Sequence, residues 1–218
     1  MSNILKTEDY INNYIIDIDP MFKKLIDICN PIEIGLSGDY FASLASSIIG
    51  QQLSNKVADV IWARLGALMN GDLSPQKISA IGIEELRKIG VSYSKIGYLK
   101  NLSEALINKK IRLNDFESME NEEIINKLVE VKGIGNWTAE MFLIFSLGRE
   151  DVFSLGDGGL QRSIKWLYQF EELPQKRQLM KISEKWKPYR TYASLYLWEA
   201  IDKNLIVNKG VRDYGKVG

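Results

Sequence analysis

Residues 128–157 read LVEVKGIGNWTAEMFLIFSLGREDVFSLGD, and this stretch decides the fold. Leu128, Val129 and Val131 close one apolar helical run, Gly133-Ile134-Gly135 turns the chain, and a second helical pattern runs from Asn136 to about Leu147. Two glycines around one apolar residue predict a turn too tight for side chains, with backbone N–H groups facing outward at a helix N-terminus. Such a helix start can hold a phosphate. After a polar break comes Asp157, a carboxylate just ahead of the helical spacing Leu160, Ile164, Leu167. The pattern is an anion anchor followed by an acid.

Composition narrows the chemistry. At 218 residues the chain can bury a full core, in one domain or two interleaved lobes. Cys29 is the only cysteine and there is no histidine, which excludes disulfides, Cys-rich zinc sites and His-based triads within one chain. No apolar run reaches membrane-spanning length, and MSNILKTEDY lacks the basic-then-apolar layout of a secretory signal, so the expected compartment is the cytoplasm. Formal net charge is +0, but residues 1–40 hold only Lys6, Lys23 and Lys24 as cations among a larger number of acids, leaving a mild basic excess elsewhere. Composition alone does not point to nucleic acid.

Helical periodicity extends in both directions. Residues 4–29 read as one or two short helices broken at Pro20 and ended by Asn30-Pro31. Phe41, Leu44, Ala45, Ile48 and Ile49, then Val57, Val60, Ile61, Leu65 and Leu68, mark two helices around Gly50-Gln51-Gln52, with Ser54 placed to cap the second. Ser74 and Pro75 start another. Arg87, Lys88, Lys95 and Lys100 either face phosphate or form a solvated helix face. Phe116 and Met119 fall in a short connection, a helix runs from Pro174 to near Trp186, and Lys187-Pro188 opens a last helix from Tyr189 to about Leu205. No strand-like alternation persists and no long period repeats. The predicted fold class is all-α, with about ten helices.

Together these segments resemble the helix-hairpin-helix DNA glycosylases that carry a downstream aspartate, in particular the 3-methyladenine DNA glycosylase II (alkylpurine DNA glycosylase) type. Gly133, Gly135, Thr138 and Ala139 match the hairpin's GxGxxTA, and Asp157, in DVFSLGDGG, falls where that superfamily keeps its catalytic aspartate. SIIGQQLSNKVA, GVSYSKIGYLKNL and WKPYRTYASLYLWEA extend the likeness over Phe41 to about Glu199. The resemblance implies two helical lobes with the active site in the cleft between them. It also implies one glycosylase region over 1–218, a hairpin at about 128–147, and none of the extra N-terminal β domain of some relatives. Damaged double-stranded DNA is the implied partner, met by a monomer without membrane involvement. A four-cysteine iron–sulfur cluster is excluded and no catalytic metal is expected; the one ion implied is a cation shared by hairpin carbonyls and a DNA phosphate.

The same resemblance assigns roles residue by residue. Asp157 would be the catalytic acid, stabilising positive charge on the sugar as the base departs. Its plain role is N-cap of the Leu160 helix, where the helix dipole also favours negative charge. Trp137 stands where the bifunctional branch has its Schiff-base lysine, and Lys132 occupies a different place, so hydrolysis without lyase activity is expected. Trp137, Trp198 and Met141 would form the base pocket, an indole face attracting a cationic alkylated purine. On periodicity alone Trp198 would be core, sharing a face with Thr191 and Ser194, while Tyr189, Tyr192 and Tyr196 form a packing stripe. Gln52 would fill the gap left by a flipped nucleotide and Ser54 contact the groove; without the resemblance the two glutamines read as a solvated helix junction. Gly133, Ile134, Gly135 and Thr138 would bind DNA, with Lys132 as a further phosphate contact. Trp186 and Arg190 match supporting positions, and NKGVRDYGKVG is expected to be frayed or close to DNA. Lys132-Gly133 in place of Pro-Gly, and Gly158-Gly159, depart from the commoner pattern. Three alternatives stand: the same fold acting on oxidised or deaminated bases, a non-catalytic hairpin DNA-binding protein, and a helical interaction module.

Overall fold

The computed structural model describes residues 4–206; the tail NKGVRDYGKVG lies outside the described residues. In chain order, strand β1 (Ile4–Lys6) leads to helices α1 (Asp9–Ile18) and α2 (Lys23–Cys29), with a 3₁₀ turn, Pro20–Phe22, between them. Strand β2 (Glu33–Gly35) follows, then α3 (Tyr40–Gly50), α4 (Asn55–Leu68), α5 (Pro75–Ala80), α6 (Ile83–Lys88) and α7 (Tyr93–Ile107). A second 3₁₀ segment, Leu113–Ser118, precedes α8 (Asn121–Val129) and α9 (Asn136–Phe145). The chain closes with α10 (Gly158–Leu167), α11 (Lys176–Glu184) and α12 (Arg190–Asp202). Helix dominates, as the apolar spacing predicts. Against expectation, β1 and β2 pair in a two-stranded sheet. Each strand is three residues long, too short to show alternation.

Contacts divide the chain into two compact units, one of Met1–Leu5 with Ile34–Val152, the other of Lys6–Glu33 with Phe153–Gly218. In the first, α3 is the central element, touching α4, α7 and α9. Asp39 starts it, its carboxylate accepting from Ala42 N–H, and Phe41, Leu44, Ile48 and Ile49 are buried along one face. Burial of four such side chains contributes roughly 6–12 kcal/mol before conformational entropy is subtracted.

In the second unit α12 contacts α10 and α2. Two buried polar networks hold the N-terminal segment there. Tyr196 donates its hydroxyl to Asn12 Oδ1 at 2.6 Å, and Asn12 Nδ2 reaches Asn30 Oδ1 at 3.1 Å. The carboxylate of Asp19, itself buried, accepts from the Tyr168 hydroxyl and from Trp186 Nε1. Burial together with that carboxylate raises the Tyr168 pKa. Trp186 is fully enclosed, edge-on to Phe22 and Phe153. The tyrosine stripe is packing, as expected: Tyr189 meets the rings of Tyr14 and Tyr192 edge-on.

Candidate active site

The hairpin of the first unit is α8, a turn, and α9. Gly133 turns the chain at φ +110°, and a Cβ built there would sit 2.2 Å from Tyr98 Cγ and 2.4 Å from Tyr98 Cβ. Both conformation and space therefore demand glycine. Gly135 differs. Its backbone is extended, at φ −101° and ψ 172°, and nothing lies within 4 Å of the position a Cβ would take. The expectation that both glycines serve a tight turn is corrected: Gly133 alone makes it. Gly135 instead is the N-cap of α9 without a capping side chain, leaving the approach to the helix's first turn open.

Two amides brace the turn. Gln51 Nε2 donates to Gly133 O at 2.9 Å, and Asn101 Nδ2 donates to Lys132 O at 3.2 Å. The adjacent glutamines thus separate in role. Gln51 is half-buried and structural, whereas Gln52 is exposed and held at φ +58°, a conformation that costs a non-glycine residue of order 1 kcal/mol or more. Ser54 occupies the N-cap of α4, but its side chain makes no capping bond. Ile134 and Thr138 are buried, so their contribution to any ligand contact is backbone. Trp137 is 47% exposed in the first turn of α9, and Met141, one turn on, is buried. The turn's carbonyl oxygens suit a hard cation, since each keeps a lone pair while accepting its amide. Among the described residues no group of three or more His, Cys, Asp or Glu side chains could hold a metal.

Three of the four basic side chains that could have faced phosphate are engaged with backbone carbonyls. Lys100 Nζ meets Ser79 O and Ile81 O at 2.9 Å each, closing the end of α5. Lys95 Nζ donates to Ile49 O at 2.8 Å at the end of α3, and burial lowers its pKa. Arg87 donates to Val91 O at 2.7 Å and stacks over Tyr93. The two lysines are helix-end caps, and Arg87 ties down the connection between α6 and α7.

In the second unit Asp157 caps α10. It is 9% exposed, and its Oδ1 accepts from Leu160 N at 2.8 Å and from Trp198 Nε1 at 3.1 Å. The carboxylate that the resemblance assigns to chemistry is thus also the helix cap. A Cβ at Gly159 would lie 2.9 Å from Asp157 Oδ1 and 3.4 Å from Trp198 Cδ1, so the second glycine of Gly158-Gly159 makes room for the acid and its indole. Trp198 is half-buried, while Thr191 and Ser194, on the same face of α12, are enclosed. Sequence reasoning missed Gln51, Tyr98, Asn101 and Gly159 as supports. Tyr98 and Asn101 lie in GVSYSKIGYLKNL, which the resemblance singled out without a role.

Set beside known proteins, residues 45–188 match the HhH-GPD superfamily of base excision DNA repair proteins. The chain belongs to that family. It is 36% identical over 162 residues to DNA-3-methyladenine glycosylase 1 of Schizosaccharomyces pombe, covering 73% of this chain and 71% of that one. The crystal structure of a DNA-3-methyladenine glycosidase from Bacillus halodurans superposes with a TM-score of 0.83 at 39% identity, over 93% of this chain and 94% of that one. The S. pombe 3-methyladenine DNA glycosylase in complex with abasic DNA gives 0.80 at 31% identity, over 95% and 100%. Among the described residues no helix is long and apolar enough to cross a membrane.

Proposed function

We propose that this protein is a monofunctional DNA glycosylase that flips out alkylated purines of the 3-methyladenine and 7-methylguanine type and hydrolyses the N-glycosidic bond, leaving an abasic site for base excision repair. The observation that carries the reading is Asp157, a buried carboxylate at the start of α10 gripped through one oxygen by Leu160 N–H and the Trp198 indole. As the C1′–N bond breaks, its electron pair leaves with the base and positive charge grows on the sugar. A preorganised carboxylate stabilises that charge and orients the water that adds to C1′. A cationic alkylated base leaves without a general acid, which suits a site with no histidine. Trp137 supplies no amine, so no Schiff base forms.

The other roles follow. Gly133, Ile134, Gly135 and Thr138 offer backbone to a phosphate, Gln52 replaces the extruded nucleotide, Ser54 meets the groove, and Trp137, Met141 and Trp198 recognise the base. A hard cation held by the hairpin carbonyls would add positive charge beside that phosphate. The partner is damaged duplex DNA, engaged by a monomer in the cytoplasm; the abasic-DNA complex of the S. pombe relative supports DNA as the partner.

The test is duplex DNA containing 7-methylguanine, incubated with wild type and Asp157→Asn and scored for free base and for strand breaks with and without alkali. Expected are free 7-methylguanine, breaks only after alkali, and loss of release by about a hundredfold or more in the variant while duplex binding persists. Undiminished release by Asp157→Asn would remove the acid from the mechanism, and breaks without alkali would contradict the reading of Trp137. Release of oxidised or deaminated bases instead would move the substrate class.

A further inference from the structure

The second unit carries a groove of roughly 1460 Å³ that Asp157 and Trp198 do not line. This exceeds the approximately 300–1,000 Å³ of a small-molecule pocket and suits a segment of polypeptide. Its lining combines two features. Met21, Ile28 and Leu173 are 42%, 45% and 53% exposed, large apolar side chains left in contact with water. Lys24, Arg162 and Lys165 also line it and form no ion pair among the described residues; of the two acids in the lining, Asp27 is taken by Lys23 at 3.1 Å and Glu171 alone stands against those cations, so the lining is net basic. Apolar floor and unmatched cations together specify an occupant with the complementary pattern.

Two other occupants fit less well. The chain's own residues 207–218 continue from Ile206, which lines the groove, but they carry Lys209, Arg212 and Lys216 against Asp213 alone. Like charges repel there. A nucleic-acid backbone would satisfy the cations yet leave the three apolar side chains wet. We propose that the groove docks an acidic amphipathic helix of a partner protein, with apolar residues against Met21, Ile28 and Leu173 and carboxylates against Lys24, Arg162 and Lys165. It binds this partner independently of the proposed base release.

The experiment is fluorescence anisotropy of the full chain with a fluorescein-labelled amphipathic helix bearing leucine on one face and glutamate on the others. The expected result is binding that weakens at least about tenfold in Lys24→Glu with Lys165→Glu, and likewise in Ile28→Asp. Thermal unfolding and release of 7-methylguanine should stay at wild-type values in both. A version of the peptide with lysine for glutamate should not bind. Failure of the glutamate peptide to bind, equal binding of the lysine version, or indifference to these substitutions overturns the proposal. Competition at the same residues by a synthetic peptide of residues 207–218 would instead assign the groove to the chain's own tail, and competition by single-stranded DNA would assign it to nucleic acid; either result overturns it as well.

Discussion

Replacing each hairpin glycine by alanine separates what the turn needs to exist from what it needs to work. At Gly133 the new methyl would adopt φ +110° and stand 2.2 Å from Tyr98 Cγ. Positive φ costs an L-residue about 1–2 kcal/mol and forced overpacking about 1–3, so Gly133→Ala should lose roughly 2–5 kcal/mol of a total near 5–15. Trimming the neighbour would not rescue it, because Tyr98 Cβ itself is only 2.4 Å from the new atom. At Gly135 the backbone is extended and the space is empty. Alanine is the poorer N-cap by some tenths of a kcal/mol, but it lowers the entropy of the unfolded chain by about as much, and the two nearly cancel. What Gly135→Ala does is place a methyl where a phosphate would approach the start of α9. Urea unfolding and duplex binding, measured on both variants, give the crossed result: a midpoint lowered by about 1 M for Gly133→Ala, and an unmoved midpoint with affinity reduced about tenfold for Gly135→Ala. Equal destabilisation by the two, or a stable Gly133→Ala protein, would refute the assignment.

Trp198→Phe keeps an aromatic face but removes the N–H that donates to Asp157 Oδ1. A hydrogen bond to a charged group contributes about 1.5–3 kcal/mol, so kcat for base release should fall about tenfold to a hundredfold with little change in KM; a raised KM at constant kcat would show that the indole serves binding alone. Lys100→Met strips the ammonium from the carbonyls of Ser79 and Ile81. It should destabilise by about 1–3 kcal/mol and leave the salt dependence of DNA binding unchanged, whereas a slope reduced by about one would make Lys100 a phosphate contact after all.

Features written in adjacent residues were readable in advance. Asp157 could be placed as a helix cap because its partner, Leu160 N–H, is three residues away. The turn at Gly133 could be placed because two helical patterns meet there. What escaped were partners distant in sequence. Gln51 reaches Gly133 across 82 positions, and nothing local distinguishes it from Gln52. Lys100 on a helix looks the same whether its ammonium meets water, phosphate or the end of α5. Gly135 looks like a second turn residue in the sequence because a repeated glycine carries no sign of its own φ; its extended backbone and the empty space beside it mark a glycine that leaves room rather than one that bends. The short pairing of Ile4–Lys6 with Glu33–Gly35 was invisible for a related reason, since three residues cannot establish a period.

The second unit is assembled from two pieces of chain, Lys6–Glu33 and Phe153–Gly218, with all of Ile34–Val152 between them. On a ribosome adding about 5–20 residues per second, the early helices wait on the order of ten seconds before α10 and α12 exist to receive them. Until then Asn12 has no Tyr196 to accept from, and Asp19 has neither Tyr168 nor Trp186. Asp157 follows the end of the hairpin at Phe145 closely, but the indole that donates to it arrives only with Trp198. A chain arrested between Phe145 and Trp198 has its hairpin sequence complete and its Asp157 carboxylate without the indole, so translation completes the surroundings of that carboxylate last.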